Sequence, residues 1–284
     1  MMKKYLSISF LAVFVLLAFS CEEVPPVLNP VGNNNSGGGG PVSEQKRQVI
    51  IEEFTGVRCV NCPAASEAIQ ALLGVHGDQL VAVAIHAGFF AVPYPEAGEA
   101  ALENDTGSSL LSLLGQPLGF PTAVVNRRNF EGEENRQTGQ STWAGYIAEE
   151  LTTPPMLRID LGSTYNDATG AVDIETDLYV DEGFNYEDVR LTVYITESNV
   201  TAPQLTPDGV EMDYKHKHVF RTAVTAFDGD VLNENFLAGT VINRSLSVTL
   251  DPSWVAEDCH IVAFVHRGGG TLDVIQAHEI AVVE

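Results

Sequence analysis

Apolar and polar residues follow two different rhythms on either side of residue 154. Between about residues 49 and 153, the apolar period switches repeatedly between that of a strand and that of a helix. Strand-like runs are VIIEEF (49–54), LVAVAIHA (80–87) and PTAVVNR (121–127), and helix-like stretches lie at 63–74, where Gly74 would end the helix, at 95–115, and at 141–151, where Ser141 would cap it. Strands that alternate with helices predict an α/β sheet.

After the sequence TTPP (152–155), short runs alternate apolar with polar residues and are bounded by Gly, Asp, Asn or Pro. Seven such runs lie at 156–165, 171–180, 188–198, 216–227, 244–250, 259–267 and 272–283. Without a convincing helix among them, they predict an all-β antiparallel sandwich of the immunoglobulin-like kind.

The first 47 residues have the composition of a leader and a tether. Lys3 and Lys4 precede an apolar run from Leu6 to Phe19, which has the length of a signal peptide and is too short to span a membrane comfortably. The Pro, Asn, Gly and Ser that follow could bury no core. The predicted division is a signal peptide at 1–20, a flexible tether at 21–47, an α/β domain at 48–153 and a sandwich domain at 154–284.

The cysteine that follows the apolar run indicates a lipid anchor. The stretch LLAFSC, which ends at Cys21, resembles the signal of bacterial lipoproteins, in which the thiol of the first mature residue is acylated. An ordinary cleaved signal with an incidental cysteine is the alternative. Glu22 and Glu23 resemble the acidic signal that sends lipoproteins of the Bacteroidetes type to the outer face of the outer membrane. The expected location is the outer membrane. Its external face and its periplasmic face are both open.

The charge of the chain excludes two classes of partner. Acidic residues number 38 against 15 basic ones, which gives a formal charge of −23. This charge repels nucleic acids and anionic membrane surfaces. We therefore expect no nucleic acid as partner, and membrane contact through the lipid alone.

Two cysteines stand three residues apart between a predicted strand and a predicted helix. The unpaired N–H groups and the dipole at a helix N-terminus favour a thiolate, and the guanidinium of Arg58 acts in the same direction. The pattern predicts Cys59 as the nucleophile, Cys62 as the buried resolving thiol and Pro63 in the first helical turn.

This arrangement resembles the thioredoxin superfamily, which places a buried acid six residues before the first cysteine and a cis proline just before a later strand. Glu53 and Pro121 stand at the matching positions. The resemblance implies a thioredoxin-like domain in which Glu53 moves a proton and Pro121 orients the substrate. A surface carboxylate is the alternative for Glu53, and we expect that Glu53 and its neighbour Glu52 are not both buried.

More closely, the stretches IIEEFTGVRCVNCPAA, KHKHVFR and CHIVAFV are similar to the Omp28 family of outer-membrane lipoproteins of Bacteroidetes. The resemblance extends over nearly the whole mature chain. It implies location and architecture, and it implies no particular reaction.

Four other residues invite a chemical role. Cys259 is expected to be a buried core thiol, because free cysteines are among the most buried residues. His216 and His218 would share one face of a strand, but without a third ligand nearby in sequence we predict no metal site. His86, at the end of a strand, is expected to be a hydrogen-bonded capping residue, with assistance to proton transfer as the alternative. No cofactor is expected.

Two functions of different class remain open. In the first, Cys59 and Cys62 exchange disulfides with envelope proteins, and the sandwich recognises partners or mediates homodimerisation. In the second, a permanent disulfide stabilises a loop of a non-catalytic surface binding protein. A four-residue ring removes little entropy from the unfolded chain, which favours the first function. The residues do not distinguish a reductase from an oxidase or an isomerase.

Overall fold

The computed structural model describes residues 44–94 and 102–283. The signal peptide, Cys21, most of the tether and the first part of the helix expected at 95–115 lie outside these residues. The first part of the fold contains β1 (Val49–Thr55), α1 (Cys62–His76), β2 (Leu80–His86), α2 (Asp105–Leu114), β3 (Thr122–Val125) and α3 (Gln140–Glu150). These helices fall short, in length or in apolar character, of what a membrane crossing needs.

The rest of the described chain is built of strands. These are β4 (Leu157–Asn166), β5 (Ala171–Val180), β6 (Val189–Glu197), β7 (Val200–Thr201), β8 (Gln204–Thr206), β9 (Gly209–Glu211), β10 (Lys215–His216), β11 (Val219–Ala223), β12 (Asp230–Leu232), β13 (Val241–Thr249), β14 (Cys259–Arg267) and β15 (Val274–Ala281). All seven predicted runs contain a strand, and the short strands β7, β8, β9 and β12 were not predicted.

One mixed sheet of eight strands runs through both parts of the chain. Its order is β15-β14-β6-β11-β2-β1-β3, with β12 also paired to β6. Strand β1 lies between a parallel β2 and an antiparallel β3, and β11 joins β2 through the Val219–Ala84 pair. The sheet therefore continues across the domain boundary predicted near residue 154, and the described residues belong to one compact unit. The division into two domains stays a prediction.

Both faces of β1 and β2 are covered, which explains their almost uninterrupted apolar sequences. All seven residues of each strand are buried. On one face, side chains from α1 and α3 pack on Val49 and Ile51. On the other, Ile50 and Phe54 join leucines of α2 and residues of β6, β14 and β15.

A second core lies between two antiparallel layers. The sheet β13-β5-β4 packs its apolar face on β6, β14 and β15. Strand β5 shows the expected alternation, with Val172 and Ile174 inward and Asp173 and Glu175 outward. By contrast, β6 and β14 are buried almost throughout, because one face of each contributes to this core and the other to the core under α2.

Three local predictions were wrong. Helix α1 continues through Gly74 to His76 and is followed by Gly77, whose φ of 56° suits glycine. Helix α3 begins after Gly139 without a side-chain cap, so Ser141 is not the capping residue. The run from 216 to 227 is interrupted at His218, whose φ of 52° ends the extended backbone.

The expectation that Glu52 and Glu53 are not both buried was also wrong. Glu52 is fully buried and Glu53 is 2% exposed, on opposite faces of β1. Glu52 accepts two hydrogen bonds of 2.8 Å from the Arg127 guanidinium, which also donates to the Tyr194 hydroxyl at 2.7 Å. The bidentate pair offsets the desolvation of these charges, so the Glu52 carboxylate fits inside a sheet covered on both faces, while nothing comparable pairs with Glu53 Oε1 among the described residues.

Candidate functional site

The cysteine pair lies in the loop that leads from β1 into α1. Cys59 and Cys62 form a disulfide, and α1 begins at Cys62 with Pro63 in its first turn. The Cys59 amide donates to Gly56 O, and the Cys62 amide donates to Cys59 O. The predicted order of strand, cysteine pair and helix is confirmed, with Cys59 three residues before the helix.

Both cysteines are covered by protein. Cys59 is 3% exposed and Cys62 is 2% exposed. A cysteine that attacks another protein must reach solvent or its partner, so the disulfide needs an opening before exchange. Two segments, from opposite halves of the sequence, provide the cover.

The first covering segment is the turn at residues 88–94. The Arg58 amide donates to Phe90 O at 2.9 Å, and a Cβ on Gly56 would lie 2.4 Å from the carbonyl carbon of Phe90. Only glycine at position 56 permits this close crossing. The Arg58 guanidinium donates to Val92 O at 2.7 Å and to Pro93 O at 2.6 Å. Its hydrogen bonds are thus directed at this turn.

The second covering segment comes from the hairpin of β8 and β9. Gln204 is 2% exposed, and its side-chain amide donates to Cys59 O at 3.0 Å. The backbone amide of Leu205 donates to Val57 O at 2.8 Å. Sequence reasoning missed these residues. The TPDG turn at 206–209 signals a hairpin, but nothing in the sequence says what the hairpin covers.

Glu53 lies beside Cys62 in a small cavity. The cavity has a volume of about 20 Å³, enough for one water molecule, and both residues line it. Within the described ranges, Glu53 Oε1 has no hydrogen-bond partner. Burial raises the pKa of Glu53 to about 8, so its carboxyl group is mostly neutral at pH 7.

Two histidines complete the cavity. His86 and His216 are both buried, and their rings make an edge-to-face contact at 5.2 Å. Neither ring nitrogen of His86 has a hydrogen-bond partner among the described residues, so this histidine does not act as the hydrogen-bonded cap that was expected. Burial lowers the pKa of His216 to about 4, and burial together with His216 and Arg221 lowers that of His86.

Pro121 directly precedes β3, and the Phe120–Pro121 bond is cis, as the resemblance implied. Because Phe54 pairs with Thr122, Pro121 lies one step further along the register, near the start of the loop that carries the cysteines. The Phe120 ring packs edge-to-face on Phe90, at 5.6 Å. The sheet thus brings the proline, the covering turn and the cysteine loop to one edge.

The remaining candidates lie apart from the disulfide or from one another. Cys259 is a buried thiol without a disulfide, and burial raises its pKa to about 12, so the core role expected for it is confirmed. His216 and His218 are not on one strand face, because β10 ends at His216. In residues 44–94 and 102–283, no group of three or more His, Cys, Asp or Glu is arranged to hold a metal ion.

Comparison of the sequence with known families gives one match. The family described as outer membrane protein Omp28 matches residues 116–284, more than half of the chain. The chain belongs to the Omp28 family. Its expected location at the outer membrane is thereby confirmed. The matched region begins after Cys62, so the cysteine pair lies outside it. No curated protein matches this sequence.

Several solved structures resemble this Omp28 chain. HBP35 of Porphyromonas gingivalis has a TM-score of 0.66 at 22% identity, over 84% of this chain and 76% of that one. Protein AGR_C_4864 from Agrobacterium tumefaciens has a TM-score of 0.51 at 14% identity, over 85% of this chain and 97% of that one. A domain of the outer membrane lipoprotein Omp28 from P. gingivalis matches 45% of this chain and 88% of its own, at 20% identity and a TM-score of 0.31. At these identities, the first two likenesses concern the fold alone.

Proposed function

We propose that this Omp28 protein carries out thiol-disulfide exchange with other proteins of the cell envelope, and that residues 48–153 form the thioredoxin-like unit that bears Cys59 and Cys62. The order β1-α1-β2-α2-β3-α3, with β1 between parallel β2 and antiparallel β3, supports this unit. The cysteine loop also follows directly after β1, which is buried at all seven residues and gives a reactive group a rigid support.

The observation that carries the proposal is the cavity shared by Cys62 and Glu53. A disulfide that serves only as a staple has no use for a buried, uncompensated carboxyl group at its side, because such burial destabilises the fold. In an exchange reaction, the same group has a purpose. It is neutral at pH 7 and can deliver a proton to the sulfur that leaves.

The reaction starts from the disulfide form. A thiolate of a client dithiol attacks Cys59 Sγ, the Cys59–Cys62 bond breaks, and Cys62 leaves as a thiolate that takes the proton of Glu53. The second client thiolate attacks the client sulfur of the mixed disulfide and releases Cys59 as a thiolate. The client has then lost two electrons, which the cysteine pair has gained. A protein disulfide, reacting by the reverse sequence, restores the pair.

An exchange assay on the full-length protein in detergent tests this proposal. Reduction of insulin by dithiothreitol should be accelerated by the wild type and not by Cys59→Ser, while Glu53→Gln should lower the rate by about 100-fold through loss of the proton donor. Cys259→Ser is the matched control and should keep the wild-type rate. Equal rates for the wild type and Cys59→Ser would overturn the proposal.

The burial of both cysteines favours a second candidate, a non-catalytic surface binding protein with a structural disulfide. In that case, Cys59→Ser and Cys62→Ser would lower the free energy of unfolding, and neither wild type nor variants would accelerate insulin reduction. The two candidates thus predict opposite results in one assay.

Two further parts of the proposal concern the ends of the molecule. We propose acylation of Cys21 as the anchor that holds the folded body at the outer membrane, with the residues that lead from Cys21 to the folded body as tether. The end of the tether predicted at 21–47 belongs to the body, because Gln45 donates to Ile159 O at 2.9 Å and the buried Arg47 donates to Glu150 Oε2 at 3.1 Å. We also propose that residues 154–284 form a sandwich domain that recognises the client or a second copy of the chain.

A further inference from the structure

The hairpin of β8 and β9 projects from the fold as part of a loop whose two ends, at Ala202 and Tyr214, lie close together. The Ala202 amide donates to Tyr214 O at 3.1 Å and closes this loop. Between these residues, β8 and β9 pair only with each other in the described structure, through Gln204–Glu211 and Thr206–Gly209. Strand β9 is exposed at all three residues. An isolated hairpin of this size is marginally stable, so its position depends on what it contacts.

The contacts that hold the hairpin in place are made with backbone carbonyl groups of the cysteine loop. Leu205 N donates to Val57 O, and Gln204 Nε2 donates to Cys59 O and, at 3.4 Å, to Gly56 O. Buried carbonyl groups must keep a hydrogen-bond donor, so the hairpin leaves only when water or another donor takes its place.

We infer that β8 is an intramolecular lid that occupies the place of a client backbone, and that the client is an extended segment of a polypeptide. This inference rests on the proposed exchange function. An extended polypeptide offers a row of N–H groups that can replace those of Leu205 and Gln204 on the same carbonyls, whatever its sequence. Displacement of β8 removes the part of the cover that the hairpin provides, so client binding increases access to the disulfide.

Within the hairpin, Leu205 offers a clean test. Its amide donates to Val57 O and not to β9, so proline at this position removes the contact with the cysteine loop and spares the hairpin ladder. Val210 stands opposite Leu205 and is 44% exposed. Val210→Pro is therefore the matched control, with the same substitution on the outer strand of the same hairpin.

The measurement is the rate at which tris(2-carboxyethyl)phosphine reduces the Cys59–Cys62 disulfide of the full-length protein, followed by alkylation and mass spectrometry. Leu205→Pro should increase the rate about five- to tenfold, as expected for the loss of one net hydrogen bond. Gln204→Leu should give a similar increase, and Val210→Pro should leave the rate unchanged. Equal circular dichroism spectra would show that the variants are folded.

A wild-type reduction rate in both folded variants, Leu205→Pro and Gln204→Leu, would overturn the lid. Increased rates in both, with no insulin reduction by any protein in the series, would support the lid and overturn the exchange function. Insulin reduction that depends on Cys59 but is insensitive to both substitutions would support the exchange function and overturn the lid.

Amide hydrogen exchange tests independently whether a bound peptide displaces β8 from the cysteine loop. An extended peptide whose one cysteine is activated as a disulfide with 2-nitro-5-thiobenzoate is attacked by Cys59 in a Cys62→Ser background, which releases the thiobenzoate and leaves the peptide as a mixed disulfide on Cys59. This complex should show exchange across 204–211 at least about tenfold faster than the unmodified variant, while exchange in β5 stays the same. Unchanged exchange across 204–211 in the trapped complex would show that the client binds without displacing β8 and would overturn the inference.

Discussion

Glu52 and Glu53 are neighbours on one strand, and both are buried, yet the two faces of β1 treat them differently. Glu52 lies on the face toward α2, where Arg127 pairs with both of its oxygens. Glu53 lies on the face toward α1, beside Cys62 and His86, with Oε1 unpartnered among the described residues. One carboxyl group is kept as a paired anion, and the other as a neutral acid with a raised pKa.

The difference shows that burial of a carboxyl group does not by itself indicate function. A paired carboxylate fixes the position of the strands around it and has no freedom to exchange protons. An unpaired one destabilises the fold and can take up or release a proton near pH 7. The uncompensated polar atoms around the small cavity therefore mark the face on which chemistry is expected.

The largest effect is expected on the paired face. Arg127→Met leaves Glu52 buried without a partner and should lower the free energy of unfolding by about 5 kcal/mol, the upper end of what the loss of one partner of a buried pair costs. Urea unfolding at pH 7 measures this. The double variant Glu52→Gln with Arg127→Met should recover more than half of the loss, because no charge is then left in the core. A single-variant loss below about 1 kcal/mol would show that the pairing is not what holds Glu52 in the core.

The next effect is a pH dependence of the free energy of unfolding that comes from Glu53. The folded-state pKa of Glu53, about 8, lies above its ordinary value of 4.5, so its contribution to stability is full below pH 4.5 and is lost as the pH rises through 8. Between pH 5 and 8, this group should cost the wild type about 4 kcal/mol, and Glu53→Gln should abolish that slope. Urea unfolding of both proteins across this range gives the difference. Parallel curves would show that Glu53 is ionised in the folded protein and would contradict the prediction.

The smallest effect concerns the histidine on the Glu53 face. The folded-state pKa of His216 is lowered from 6.5 to about 4, so the protein loses stability as the pH falls through this window, because only the unfolded chain takes up the proton. Between pH 7 and pH 4.5, the loss from this residue should be about 2 kcal/mol, and His216→Gln should lack it. Chemical unfolding at pH 7 and pH 4.5 measures the change. An identical acid loss in wild type and variant would mean that the ring is protonated in the folded state and that the cavity is more polar than its lining indicates.

The parts of the fold that the sequence predicted are those governed by local pattern. The apolar run at β1, the Cys59 and Cys62 spacing and Pro63 together predict a strand, a loop and a helix start, because each of these depends on residues close in sequence. The alternation in β5 predicts a half-covered strand for the same reason. The ends of α1 and α3 were less predictable, because Gly74 and Ser141 have the right chemistry at the wrong positions.

The features that escaped prediction depend on contacts between distant residues. No sequence feature near Glu52 predicts its contact with Arg127. Likewise, no feature near Cys59 predicts its contact with Gln204, which is 145 positions away. The burial of β6 and β14 on both sides likewise follows from two separate cores that meet on the same strands. In the candidate site, therefore, the cysteines, Glu53 and Pro121 could be named in advance, and their surroundings could not.

The pairing of β11 with β2 has a practical consequence for work with pieces of this chain. A fragment that stops near residue 153 would lack both β11 and the hairpin. One edge of β2 would then have no neighbouring strand, and the Cys59–Cys62 disulfide would lose the hairpin that covers it. Open strand edges recruit other chains. Such a fragment would be expected to aggregate and to react indiscriminately with thiols. A high activity measured on it would therefore result from the truncation and would not represent the whole protein.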